Sequence, residues 1–252
     1  MKNYGYIEPV ILGSDYRFGG GHGLTTGKPI LCEDRNWVPH LPVGEIQRRA
    51  IETSSCTEFA THNALEAITK AKFGVETDWS ERYPSIGAGN SEYGNDPNKV
   101  AQWIRDNGAI PEALLPFTDQ IQTWADYMQP NPLPKGLIKL GKKCGHTFWH
   151  EWVQADPEEM WHALQYSPLG VAVYAWLKQD DFYIKPSGVF DNHWTLVVGG
   201  VYSKSWLIFD SYVDDGVFFK EVAWDYQFKF VKLYAVEKKQ LSWPFNWFCQ
   251  VQ

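Results

Sequence analysis

The sequence has no paired cysteines, no long apolar run and no excess of basic charge, and each absence removes a class of protein. Its four cysteines, Cys32, Cys56, Cys144 and Cys249, lie far apart, without a C-x-x-C pair. A zinc-type ligand spacing is therefore missing, and a chain of 252 residues can bury its core without a disulfide framework. No stretch reaches the ~18 apolar residues of a membrane span. The start, Met1-Lys2-Asn3-Tyr4-Gly5-Tyr6, lacks the apolar centre of a secretory signal. These absences predict a soluble chain without metal or cofactor, cytoplasmic or carried in a larger particle. With a net charge of −7, a phosphate-binding surface is not expected, so nucleic acid is not an expected partner. The glycine-rich stretch 18–28 also fails as a phosphate loop. The first glycine of G-x-x-x-x-G-K would fall on His22, and Pro29 follows Lys28 where Ser or Thr is needed. It reads as an irregular arm.

What is present begins with Ser54-Ser55-Cys56-Thr57-Glu58-Phe59-Ala60. Ser55 and Glu58 have the spacing of a capping box, which makes Ser55 the expected N-cap and places Cys56 in the first helical turn. Free backbone N–H groups and the positive end of the helix dipole there favour an anion, so a lowered thiol pKa is expected. The helix should run to about Lys72 and end at Gly74, with Ala60, Ala64, Ala67 and Ala71 forming a stripe for close packing.

Residues 79–96 read as loop, with Pro84, Gly87, Gly89 and Gly94. A second helix is expected from Asn98 to Asn107, closed by Gly108, and a short one over 118–128. The proline-rich segment 129–134 marks the boundary between two lobes. Beyond it, Asp156-Pro157-Glu158-Glu159 reads as a helix start. Runs over 169–176, 193–201, 205–210, 217–222 and 228–236 read as antiparallel strands. His146 and His150 have the spacing of a metal-binding helix, without a third ligand. The aromatic segment Trp243 to Cys249 is expected to pack back onto the body. Helices first and strands second make the class α+β.

His193 opens a strongly apolar strand roughly 140 residues after Cys56, inside the ~130–150 separation of the papain/cathepsin pattern. The following strand delivers Asp210 at its polar end. Cys, His and an orienting polar group are the parts of an activated thiol nucleophile.

The chain resembles the papain-like cysteine peptidases over about residues 37–240. Cys56-Thr57-Glu58-Phe59-Ala60 is similar to that family's nucleophile helix, and Ser80-Glu81-Arg82 to its L-S-E-Q segment. Gly108-Ala109-Ile110-Pro111-Glu112, with Pro116-Phe117 after it, resembles the stretch ending in a proline–aromatic pair. Ser167 to Ala175 resembles the strand written P-V-S-V-A, and Ser187-Gly188-Val189-Phe190 precedes Asn192-His193 much as there. There are departures. Thr53 replaces the first cysteine of C-G-S-C, Thr57 the aromatic after the nucleophile, and Asp210-Ser211-Tyr212 the family's N-S-W.

The resemblance implies a two-lobed fold. Residues 1–36 would form an arm that wraps a lobe or lies across the cleft, 37–134 a helical lobe, and 135–252 an antiparallel β-barrel-like lobe, with the site between the lobes. It implies Cys56 as nucleophile, His193 as base and acid, Asp210 as orienter and Gln47 as oxyanion donor, although Gln47 stands nine residues before the cysteine rather than six. Gly94, Asn95, Ala172 and Asn192 would line substrate subsites, with Tyr212 beside them shielding the His193–Asp210 bond. The implied activity is endopeptidase cleavage of peptide or protein substrates, with a monomer assumed. A related Cys-His-Asp amidase or double-glycine-type peptidase is the nearer alternative, and an inactive papain-like fold used for binding or structure the more distant one.

Overall fold

The computed structural model describes residues 3–20, 28–144, 146–213 and 216–238. Most of the glycine-rich stretch and the aromatic segment ending at Cys249 lie outside the described residues. The first helix, α1 (Cys56–Phe73), starts at the nucleophile candidate and is buried on every side from Cys56 to Thr69. It stops where the sequence requires. Gly74 adopts φ 67°, a left-handed conformation that glycine enters without a Cβ clash, and its N–H closes on the Lys70 carbonyl. The capping box does not form. Ser55 is the N-cap by position, but its hydroxyl makes no cap hydrogen bond. It donates to the Thr53 carbonyl (3.1 Å), accepts from Asn90 Nδ2 (2.8 Å) and lies 2.9 Å from the Tyr127 hydroxyl.

The loop expected over 79–96 contains a short helix, α2 (Arg82–Gly87). Pro84 lies in its first turn, where the missing N–H has no helical partner to lose. α3 (Pro97–Asn107) is capped by Asp96, whose carboxylate accepts from the N–H groups of Asn98 and Lys99. The helix expected over 118–128 shrinks to one turn, α4 (Trp124–Tyr127). Arg82 ties this region together. Its buried guanidinium donates to the carbonyls of Pro116, Asp126, Tyr127 and Gln129, satisfying loop backbone that has no ladder. α5 (Lys135–Lys142) follows the proline-rich segment, and Leu137, Ile138 and Leu140 pack onto the cluster around Phe59, Tyr83 and Phe117.

The rest is mostly strand. β1 (His146–Val153) occupies the segment whose histidine spacing suggested a metal helix. Residues four apart also share a face of a strand, so the spacing could not distinguish the two. His150 is held by Gln102 and Lys232, and among the described residues no three His, Cys, Asp or Glu side chains converge as metal ligands. After α6 (Pro157–Ala163), capped by Asp156, come β2 (Leu169–Val173), β3 (Leu177–Gln179), β4 (Phe182–Ile184), β5 (His193–Val201), β6 (Ser205–Phe209), β7 (Phe219–Ala223) and β8 (Val231–Lys238).

Six strands form one antiparallel sheet in the order β1-β8-β2-β5-β6-β7, and β3 pairs with β4. Among the described strands β1 and β7 stand at opposite ends, so hydrogen bonds do not close a barrel. α1 packs against β2, β5 and β8, and this contact fuses the helices and the sheet into one core. Among the described residues no helix is long and apolar enough to cross a membrane.

Behind α1 a cleft of about 630 Å³ is lined by Glu45, Glu66, Asp78 and Glu112, among others. Burial pushes the carboxyls of Glu45, Glu66 and the neighbouring Glu81 upward, and that of Glu112 to about 7. Burial raises Glu58 to about 7 as well, against an ordinary 4.5. Between these two values the folded chain holds protons that the unfolded chain has released, so stability falls as pH rises through the window. For Glu58 alone the loss is on the order of 3 kcal/mol. Lys232, depressed by burial to about 7 from 10.5, acts with the opposite sign, but only above that window. Calorimetry should therefore give a higher Tm at pH 5 than at pH 7.5. Glu58→Gln should narrow the difference, and a Tm that rises from pH 5 to 7.5 would contradict the assignment.

Candidate active site

α1 and the sheet meet at the N-terminus of the helix, and there the candidate residues come together. Cys56 and His193 are both fully buried, His193 opening β5 and Asp210 following β6. Because β5 and β6 are paired neighbours, their ends present these two side chains side by side. His193 Nε2 lies 2.6 Å from Asp210 Oδ1. Its other nitrogen, Nδ1, is buried and has no hydrogen-bond partner among the described residues. The backbone N–H of the next residue, Trp194, reaches the Cys56 thiol.

Asp210 is more tightly held than its motif suggests. Its Oδ2 accepts from Trp176 Nε1 (2.6 Å) and lies 3.2 Å from Lys220 Nζ. Burial alone would raise this carboxyl, but His193, Lys220 and the Tyr212 N–H bring it down to about 2. Neither Trp176 nor Lys220 was evident from motifs. For Lys220 a signal existed: in Phe219-Lys220-Glu221-Val222 the lysine is in phase with a core valine, so it must point inward.

The thiol departs from expectation. Its pKa is pushed well above the ordinary value, first by burial and then by Glu58, Asp210 and Glu52, with the Trp194 N–H opposing. The helix start alone does not set it. Glu58, two residues on, accepts from Thr57 Oγ1 (2.7 Å) and Asn95 Nδ2 (3.1 Å).

The covering comes from the chain itself. Residues 4–7 lie over the site. The Tyr4 N–H donates to the Asn192 carbonyl (2.9 Å), the Asn95 N–H to the Gly5 carbonyl (3.0 Å), and the Ile7 N–H to the Asn95 carbonyl (3.0 Å). Gln47 is fully buried and donates from Nε2 to the Tyr4 carbonyl (3.1 Å) and to Glu52 (3.2 Å), while Ser211 Oγ holds its Oε1 (3.0 Å). The Tyr4 ring stands edge-on to His193 and Tyr212, with centroids at 6.1 and 4.5 Å, and Tyr6 stacks on Trp194 at 5.9 Å.

Gly94 and Asn95 therefore meet the arm. A Cβ on Gly94, at φ 104°, would fall 2.0 Å from the Gly5 carbonyl oxygen. Ala172 is buried opposite Trp194 in the β2–β5 register. Asn192 also accepts the Ala175 N–H on Oδ1 (2.8 Å). Tyr212 packs beside His193, as a shield would, and takes a hydrogen bond from Arg48 (3.2 Å).

No protein-family model matches the sequence. No curated protein matches it either. Solved structures do match in shape. Xylellain, a cysteine protease from Xylella fastidiosa, aligns with a TM-score of 0.66 at 16% identity, over 94% of this chain and 97% of that one. Digestive procathepsin L 3 of Tenebrio molitor gives 0.61 at 18%, over 92% and 76%. The bromelain protease of Ananas comosus, solved with the E64 inhibitor, gives 0.58 at 19%, over 80% and 98%. The chain thus has the fold of the papain-like cysteine proteases, reached by a widely divergent sequence.

Proposed function

We propose that the protein is a thiol peptidase whose own N-terminal arm occupies its cleft. The observation that carries this reading is the His193 imidazole, bonded to Asp210 through Nε2, with a buried Nδ1 that has no partner among the described residues and lies beside the helix that bears Cys56. Buried His62 also leaves its nitrogens without hydrogen-bond partners among the described residues, so what distinguishes His193 is its carboxylate partner and its place beside the start of α1.

In the proposed reaction, Nδ1 takes the Cys56 proton and the sulfur attacks a peptide carbonyl carbon. The developing oxyanion is met by the Gln47 amide and the backbone N–H of Cys56. The C–N bond breaks as His193 returns the proton to the leaving amine. Water, deprotonated by His193, then cleaves the thioester and restores the thiol. Asp210 holds the imidazole and offsets its charge in each charged state. Gly94, Asn95, Ala172 and Asn192 would contact the peptide where the arm now lies.

Two details support the reading of the arm. Gln47 already donates to a peptide carbonyl, that of Tyr4, and Asn95 already pairs with extended backbone. The site is thus complementary to a peptide chain. The raised thiol pKa fits a resting, covered state. The decisive experiment is Cys56→Ala, which should abolish both peptide hydrolysis and labelling by a thiol-directed epoxide. A wild-type protein with its arm displaced that neither cleaves a denatured-protein panel nor takes the label would refute the proposal and leave the inactive binding fold as the reading.

A further inference from the structure

Lys220 has no counterpart among the motif residues, yet it sits at the centre of the site. It lies on β7, directly across the sheet from Ile208 on β6, with its side chain 3% exposed. Its ammonium donates to the carbonyls of Tyr212 (3.2 Å) and Val217 (3.1 Å), and its third direction is Asp210 Oδ2 at 3.2 Å. The Trp176 ring lies 5.4 Å away, and Trp176 Nε1 donates to the same oxygen. The two oxygens of Asp210 are therefore divided. Oδ2 takes Trp176 and Lys220, which leaves Oδ1 for His193 Nε2.

We propose that Lys220 is a positioning residue: its ammonium fixes Oδ2 so that Oδ1 faces His193, and its charge makes an aspartate the required residue at position 210. The argument is one of donors and acceptors. Asparagine has a single acceptor oxygen and an NH2 group. With its oxygen on His193, that NH2 would face the Trp176 N–H and the Lys220 ammonium, donor against donor, in a site closed to water. With its oxygen on Lys220, it would offer His193 Nε2 only a donor. A carboxylate satisfies these three partners at once, and the lysine adds to His193 in compensating its buried charge. Asp210 and Lys220 thus form a unit, and the departure from asparagine noted in the sequence is explained by a residue on the next strand.

The inference rests on the reading of Cys56 and His193 as the reacting pair. The other ionisable groups around them are Glu58 on α1, Glu52 before it, Tyr4 and Tyr6 on the arm, and Tyr212 with Arg48. They are unchanged in the variants below.

The test follows the rate of Cys56 alkylation by iodoacetamide against pH in the full chain. This needs the thiol–imidazole pair but no peptide turnover, so it separates failure of this inference from failure of the peptidase reading. Lys220→Met should slow alkylation by ~10-fold, the equivalent of about 1.4 kcal/mol. It should also move the whole profile to higher pH, because removing a positive charge favours the imidazolium and disfavours the thiolate. Lys220→Arg should keep the wild-type profile. In a double-mutant cycle, Asp210→Asn should cost at least about 10-fold less with methionine at 220 than with lysine.

An unmoved profile in Lys220→Met, or losses that simply multiply, would overturn the proposal. Should Lys220→Met fail to fold, the double variant decides. A folded Asp210→Asn/Lys220→Met protein supports charge compensation, and one that also fails to fold assigns Lys220 to packing and overturns it.

Discussion

Gly5→Ala is expected to raise peptide hydrolysis, and Cys56 labelling with it, by ~10- to 1,000-fold. Gly5 sits at φ 111°, and a Cβ built there falls 2.3 Å from the Ser54 carbonyl oxygen. The obstacle is backbone at the entry to α1, which cannot rotate away as a side-chain tip could. The positive φ adds a penalty of about 1–3 kcal/mol for any residue with a Cβ. Opposing this are the forces that seat the arm. Burial of Tyr6 contributes about 2 kcal/mol. The backbone bonds to Asn95 and Asn192 and the Gln47 bond to Tyr4 add roughly 1 kcal/mol each. Ordering the arm residues takes back much of that sum. A net hold of a few kcal/mol is within reach of one misplaced methyl group, hence the predicted range. Kinetics of a fluorogenic peptide and the epoxide labelling rate would measure it. Rates equal to those of the parent chain would show that the arm does not limit access.

Cys56→Ala in that Gly5→Ala background should lower the rate by about 10⁴- to 10⁶-fold, because a hydrolase loses the whole covalent route when its nucleophile is removed. His193→Ala should fall nearly as far, and the two losses together should be no larger than either alone, since the residues act as one unit. Cys56→Ala removes only a sulfur from the main core and should keep the fold, and circular dichroism should show the same for His193→Ala, which leaves buried Asp210 with Lys220 and Trp176 as partners. A Cys56→Ala protein that retains more than a few per cent of the activity would move the nucleophile elsewhere.

The elements legible in the sequence were those with chemical punctuation. Gly74 ended α1 at the expected place, Gly108 closed α3, and Asp156-Pro157 opened α6. β5 was readable because its apolar run is unbroken. α2 was hidden by Pro84 and Gly87, breakers in general but harmless at the two ends of a six-residue helix. β1 was obscured by a histidine spacing common to helices and strands.

At the candidate site, Cys56, His193 and Asp210 were singled out by order and type, and Gln47 by resemblance. Their surroundings were not. Ser55 lost its capping role to Thr53, Asn90 and Tyr127, and the last two come from segments far away in sequence. Lys220 reaches Asp210 from β7 and Trp176 from the turn between β2 and β3, and the thiol is raised by burial and by Glu58, Asp210 and Glu52. Local chemistry pointed to the candidate atoms, while tertiary contacts set their surroundings.

The arm and the strand beneath it also differ in how long they hold. β5 lies inside the sheet, paired on both sides by β2 and β6, whereas the arm is tied by a few backbone bonds at its surface. Amides of β5 should therefore exchange with deuterium only through global unfolding, and the Asn95 and Ile7 amides through a local opening many orders of magnitude more frequent. If so, the molecule carries two clocks. The slow one keeps His193 in register for the lifetime of the fold, and the fast one fixes how often the sulfur meets solvent.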